Sequence, residues 1–238
     1  MPSLRPRSSA DSLKLRGRMQ FTAGQLFGRV AKTCLAKVTN HAYRSGSTDV
    51  SDSLASSLPL FKTFLLAQRP RLVSRALSQT WTVFTDASYE QDESGRPTAG
   101  FGGVLVSPSG KPTNFFSFEL SGDDLQKLNP AGKKTATFKC EFFAVLVALS
   151  LWQKQLTNRQ VVFYVDNDGV RDVLISCSTS DPVGHVLLTK VLELEGTLAL
   201  SSWFTRVPSK SNIADDPSRG ECTGVDPMSV LMQLGPVS

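Results

Sequence analysis

The sequence predicts an α/β fold, a mixed sheet with helices packed on it, preceded by a basic helical segment. Three features carry this expectation. Residues 81–120 hold three strand-like runs separated by Gly, Pro or polar turn residues, the pattern of an antiparallel meander. Residues 135–156, TATFKCEFFAVLVALSLWQKQL, read as a long helix that is apolar on nearly all sides between Phe142 and Trp152, as a helix buried against a sheet must be. QVVFYVDND (160–168) then gives a short apolar strand with an acidic end.

Taken in chain order, Phe21, Leu26, Phe27, Val30, Leu35 and Val38 recur at near-helical spacing with Lys and Arg between them, predicting an amphipathic helix or helix pair between about residues 19 and 42. The Ser-rich run 43–57 reads as a loop, and residues 58–80 offer a second helical stretch stopped by Pro70. A domain boundary near Gln79 divides the chain into a basic, mostly helical segment (1–80), an α/β domain (81–220) and a C-terminal tail (221–238). WTVFTDASYE (81–90), GFGGVLVS (100–107) and TNFFSFEL (113–120) are the meander strands. After the buried helix and the acidic-ended strand come helices at 168–176 and 183–197, then the strand LSSWFTRVP (200–208) and a short terminal element.

Composition narrows the functional classes. With 238 residues, 40% hydrophobic and 20% charged, the chain can bury a sizeable core. No apolar run approaches the roughly 18 to 20 residues that span a bilayer, so a soluble protein without a membrane partner is expected. The Arg- and Ser-rich start lacks a secretory apolar stretch but shares the composition of an organelle transit peptide. Cys34, Cys140, Cys177 and Cys222 show no CxxC spacing, and His41 and His185 stand apart from them, so reduced thiols in an intracellular setting, cytoplasmic or nuclear, are the simpler account. Residues 1–80 carry 13 Lys and Arg against 3 Asp and Glu, net +10, which leaves 13 against 18, net −5, for residues 81–238. A basic arm on an acidic body points to a polyanion for the first and a cation for the second, against the plainer reading of a solvated basic surface.

Four acids need an account. Asp86 interrupts an apolar strand, on one face with Phe84 and Ser88, where the plain reading is an edge aspartate facing water. Glu141 lies one turn into the buried helix, followed on its face by Ala144 and Ala148, or is simply a glutamate favoured by the helix dipole. Asp166 ends a strand where α/β sheets present ligands, or caps the next helix. Together, carboxylates converging on one sheet edge would repel one another unless a hard divalent cation sat among them. Near the end, SNIADDPSRG (211–220) offers a fourth acid, Asp215 or Asp216.

FTDAS, KCEFFAVLVAL, YVDND and NIADDPSR resemble, in order, the four motifs of the ribonuclease H domain of retrotransposon reverse transcriptases of DIRS-like or LTR type, with separations of 55, 25 and 49 residues. The resemblance covers about residues 81–220 and implies a five-stranded mixed sheet, three antiparallel strands then two parallel ones, flanked by helices. It implies that Asp86, Glu141, Asp166 and Asp215 are catalytic metal ligands, with Asp86 bridging two Mg²⁺ ions that Mn²⁺ can replace. The implied reaction is endonucleolytic hydrolysis of the RNA strand of an RNA/DNA hybrid. RNA is told from DNA through its 2′-OH in the wide minor groove, with contacts expected from the backbone near Ala87 and Ser88 and from Asn167, unless Ser88 and Asn167 serve only local turns. Asp216, before Pro217, is expected to be a cap or turn residue, with Pro217 at the first helical position.

The chain departs from the family in two ways. The loop VPSKSN carries Lys210 where many ribonucleases H have a histidine, and SCSTSDP lacks the basic helix of some cellular enzymes. The basic segment 1–80, similar to the thumb or connection region of related elements, is expected to supply affinity instead. No Tyr-x-Asp-Asp motif occurs, so a polymerase domain would be a partner absent from this chain, which reads as the C-terminal part of a pol polyprotein. A proofreading exonuclease would place Glu two residues after the first Asp, where Ser88 stands, and an integrase would place its Glu after both aspartates. The alternative from another class is a catalytically idle, nucleic-acid-binding remnant.

Overall fold

The computed structural model describes residues 9–25, 29–44, 50–66, 79–91, 96–129 and 136–221. Five strands, β1 (Trp81–Gln91), β2 (Pro97–Val106), β3 (Pro112–Ser121), β4 (Gln160–Val165) and β5 (Ser201–Arg206), form one sheet in the order β3-β2-β1-β4-β5. The β1/β2 and β2/β3 pairs are antiparallel, whereas β4 runs parallel to β1 and β5 parallel to β4. This is the ribonuclease H-like mixed sheet that the sequence predicts.

Alternation sorts the central strand. Val83 and Ala87 of β1 join Phe101, Leu105 and Phe116 on the inner face, where they meet α5 (Ala136–Leu151). α5 lies between β1 and α8 (Pro182–Thr197), so apolar residues all round its axis are what its position demands. Ala144 and Ala148 are fully buried. The outer face carries Phe84, Asp86 and Ser88, opposite Val104, Gly102 and Gly100.

The long helical pattern breaks once. At Trp152 the backbone leaves helical geometry, where the indole packs on Phe116 at 5.5 Å, and α6 (Gln153–Leu156) follows as a separate turn. α4 (Gly122–Leu128), between β3 and α5, was not anticipated. α7 (Asp168–Ser176) begins where expected, with the Asn167 side chain accepting from the Val170 N–H at 3.1 Å.

The N-terminal pattern is a helix pair, α1 (Ser9–Gln25) and α2 (Val30–Arg44), followed by α3 (Asp52–Leu66). The expected loop 43–57 is therefore too long. Ser51 accepts from Leu54 and Ala55, so the second half of the Ser-rich run starts a helix instead of extending a loop. The expected stop at Pro70 lies outside the described residues. Met19, Ala31, Cys34, Val38, Leu54, Phe61 and Phe64 belong to the same apolar cluster as the sheet and α5. Arg29 pins this contact. Its guanidinium pairs with buried Glu195 at 2.6 and 3.2 Å, donates to the Leu174 carbonyl and lies 4.6 Å over the Phe204 ring.

His185 sits on α8, its imidazole pushed below its ordinary value by burial and by Lys37 of α2. Cys34, Cys140 and Cys177 are buried free thiols, and burial raises Cys34 to about 11 and Cys140 to about 12. Cys222 lies outside the described residues. Among the described residues no helix is long and apolar enough to cross a membrane.

Candidate metal centre

β1 and β4 pair only from Trp81↔Val161 to Phe84↔Tyr164, and β4 ends at Val165 while β1 continues to Gln91. Strand order reverses here, and the crevice beyond the last pair is where open α/β sheets hold ligands. Asp86 lies on the β1 side of this crevice and Asp166 directly follows β4. Glu141, in the α5 turn that packs on β1, takes the backbone N–H of Ala87.

One carboxylate oxygen from each of Asp86, Glu141 and Asp166 can be chosen so that all three lie within 4.8 Å of one another. Asp86 and Glu141 are 5% and 3% exposed. Burial is the largest cause raising Asp86, to about 6. Asp166 and Asp215 raise it further, against a lowering hydrogen bond from Ser218 and the charge of Arg219. Burial, then the charges of Asp86 and Asp166, hold Glu141 well above the usual carboxylate range. Glu141 Oε2 is buried without a hydrogen-bond partner among the described residues. Three clustered carboxylates with an unpartnered buried oxygen fit a hard divalent cation, which prefers oxygen donors and neutralises their repulsion.

The fourth expected acid lies beside this set, outside it. Asp215 opens α9 (Asp215–Ser218) and its Oδ1 accepts from Arg219 Nε at 3.2 Å, while Arg219 Nη1 lies 3.5 Å from Glu90. Asp216 is exposed. The N-cap of α9 is Ala214, so Asp216 does not cap it, and Pro217 occupies its third position, not the first. The first-turn N–H groups of a helix have no intrahelical acceptor, so proline at the third position costs no hydrogen bond either.

The expected substrate contacts are partly engaged. The Ala87 N–H bonds Glu141, the Ser88 hydroxyl donates to the Ser218 carbonyl at 3.0 Å, and Asn167 Oδ1 caps α7. Two residues without an assigned role in the sequence reach the cluster. Ser218 Oγ lies 2.5 Å from Asp86 Oδ2, and Asn212 Nδ2 donates to Asp86 Oδ1 at 3.2 Å and to the Thr85 carbonyl at 3.0 Å. Their only sequence signal was their place in the motif NIADDPSR.

α9 reaches this position because β2 is glycine-rich. A Cβ on Gly100 would stand 1.9 Å from the Ser218 carbonyl oxygen, and one on Gly102 would stand 2.3 Å from the Ser218 nitrogen. Ser117 of β3 donates to the Pro217 carbonyl at 2.6 Å, so the helix rests on three strands.

Fold and site together define a ribonuclease H-like α/β protein with an acidic cluster at its switch point. No family model matches the chain, and no curated protein matches it. Solved structures of similar fold include ribonuclease H1 from the halophilic archaeon Halobacterium salinarum NRC-1, 18% identical over 60% of this chain and 96% of that one, with a TM-score of 0.47. LC11-RNase H1, isolated from compost by a metagenomic approach, is 16% identical over 56% and 88%, TM-score 0.45. The foamy viral protease-reverse transcriptase in complex with RNA/DNA hybrid is 12% identical over 71% of this chain and 26% of that chain, TM-score 0.46.

Proposed function

We propose that this chain is a ribonuclease H, an endonuclease that hydrolyses the RNA strand of RNA/DNA hybrids and depends on divalent metal. The observation that carries the reading is the buried meeting of Asp86, Glu141 and Asp166 within 4.8 Å. These three would hold the metal, Mg²⁺ or Mn²⁺, with Asp215 as a fourth ligand. When bound, the ions supply Lewis-acid charge at the phosphodiester and activation of the attacking water. The chain's own residues set the stage for this. The Ala87 N–H orients Glu141, and the crevice past the last β1/β4 pair is the proposed approach of the phosphodiester. The Asn167 amide and the Ser88 hydroxyl, beside that crevice, are the proposed 2′-OH contacts.

Segment 1–80 is proposed to act as a thumb- or connection-like grip on the hybrid, supported by its charge and by exposed Lys14, Arg18, Lys32 and Lys62. A retrotransposon origin, with a separate polymerase domain as partner, is part of the same proposal and is supported by the four ordered motifs of the sequence.

The test uses purified protein, labelled RNA/DNA hybrid, and Mg²⁺ or Mn²⁺ against chelator. RNA cleavage confined to the hybrid and abolished by chelator is expected. Hybrid binding without cleavage would instead identify an idle remnant, and equal cutting of duplex DNA would refute hybrid specificity. The adjacent aspartates give a sharper check. Asp215→Asn is expected to lower the cleavage rate at least about 10-fold, through a lost ligand. Asp216→Asn, at an exposed position, should stay within about twofold, with stability within about 0.5 kcal/mol. Equal losses would put the fourth ligand in the wrong register.

A further inference from the structure

We infer that Ser218 and Asn212 are positioning residues for Asp86, an assignment that rests on the metal-site reading above. Asp86 projects from the middle of a strand, and a carboxylate there can turn about its last torsion unless both oxygens are held. Both are held. Asn212 Nδ2 donates to Oδ1 at 3.2 Å and Ser218 Oγ to Oδ2 at 2.5 Å, and both donor residues are buried, at 5% and 2% exposure. The Ser218 hydroxyl also lies 2.8 Å from the Asp215 carbonyl oxygen, but it has one proton, and the shorter distance and the charge of Asp86 direct it to the carboxylate. With one donor on each oxygen, the plane of the carboxylate is fixed, and the remaining lone pairs are left for a cation shared with Glu141 and Asp166.

The donors are themselves anchored. Asn212 spans from the Thr85 carbonyl to the Ala214 N–H, which its Oδ1 accepts at 3.3 Å. The Ser218 backbone is clamped by the Ser88 hydroxyl on its carbonyl and by the close approach of Gly100 and Gly102. The segment 212–218 therefore does more than deliver Asp215. It fixes the orientation of the carboxylate at the centre of the cluster, from 132 residues away in sequence for Ser218. Outer partners of this kind, when removed, typically cost 10 to 100-fold in metal affinity.

The experiment is a Mn²⁺ titration of the full chain without nucleic acid, following free Mn²⁺ by electron paramagnetic resonance. Wild type, Ser218→Ala, Ser218→Thr and Asp86→Asn are compared. Ser218→Ala is expected to weaken Mn²⁺ binding about 10 to 100-fold, with hybrid affinity in chelator unchanged, and Ser218→Thr, which keeps the hydroxyl, to restore most of it. Should Ser218→Ala not fold, Ser218→Cys keeps the volume but donates only weakly, and carries the same expectation. If wild type holds no Mn²⁺, the metal-site reading fails and this assignment with it. If wild type binds Mn²⁺ and Asp86→Asn does not, but the Ser218 variants bind as wild type does, the positioning role alone is overturned.

Discussion

Asp86→Asn is expected to remove metal-dependent cleavage, by roughly 10³-fold or more, while leaving the fold intact. The second half of that expectation comes from the hydrogen bonds. The asparagine Oδ1 still accepts from Asn212, and its NH₂ replaces Oδ2 as a donor to Ser218, whose proton then goes to the Asp215 carbonyl 2.8 Å away. No buried group loses its partner, so the variant isolates the charge. That charge opposes folding when metal is absent. Burial holds Asp86 at about 6, above its ordinary 3.8, so the folded state binds more protons than the unfolded one between about pH 4 and pH 6. Stability therefore falls as pH rises through this window, by about 3 kcal/mol from Asp86, and the raised Glu141 acts with the same sign.

Urea unfolding in chelator at pH 5 and pH 7.5 measures this directly. Wild type should lose stability between the two, and Asp86→Asn should lose less and be the more stable protein at pH 7.5. Mg²⁺ should then raise the melting temperature of wild type and not of the variant. A variant as inactive as expected but less stable than wild type at pH 7.5 would mean that the loss reflects unfolding and not the missing ligand.

Most of the sheet was legible because alternation leaves few options. In WTVFTDASYE the odd positions must face a core, so Asp86 falls on the opposite face with Phe84 and Ser88, as the structure has it. The long helix was legible for the opposite reason, since a helix without a polar face needs cover on both sides. Convergence of Asp86, Glu141 and Asp166 followed from topology, with a strand end, a helix start and a central strand at one reversal of strand order. The Ser-rich run before Leu54 was misjudged because serine serves loops and helix caps alike, and only the apolar contacts of Leu54 and Phe61 decide between them.

The support of Asp86 was illegible for a deeper reason. Ser218 and Asn212 read as ordinary polar residues near a turn, and nothing local says that a carboxylate from a distant strand lies within reach. The place of Asp215 depends on the same unseen seating. Its ion pair with Arg219, four residues on, draws its carboxylate beside the cluster, although its charge still raises Asp86. What makes room for that seating is the run GFGGVL of β2, which has three glycines where a strand would normally carry side chains.

Those glycines lead to the second large effect, Gly102→Ala. Gly102 pairs with Asp86 across β1/β2, and a Cβ there would meet the Ser218 nitrogen at 2.3 Å, the Ala214 carbonyl oxygen at 2.5 Å and the Pro217 carbonyl carbon at 2.8 Å. All three atoms are backbone of the α9 segment, so no rotamer change relieves the clash and the segment must lift. Lifting it stretches the Ser218 and Asn212 contacts to Asp86 and carries Asp215 away. A displacement of about 1 Å at reacting groups can cost about 10²-fold in rate. Gly103→Ala supplies the contrast. Its Cβ would press on the Phe116 ring at 2.3 Å, within the packing of Phe116 against Phe118 and Trp152 on the inner face. Overpacking of that kind costs about 1 to 3 kcal/mol but leaves α9 seated. Cleavage rate and urea stability measured together separate the two. Gly102→Ala should lose about 10²-fold in rate and weaken Mn²⁺ binding in the fraction that remains folded, whereas Gly103→Ala should lose stability and keep the rate per folded molecule. If both variants lose rate only in proportion to the unfolded fraction, the seating of α9 on β2 does not govern the site.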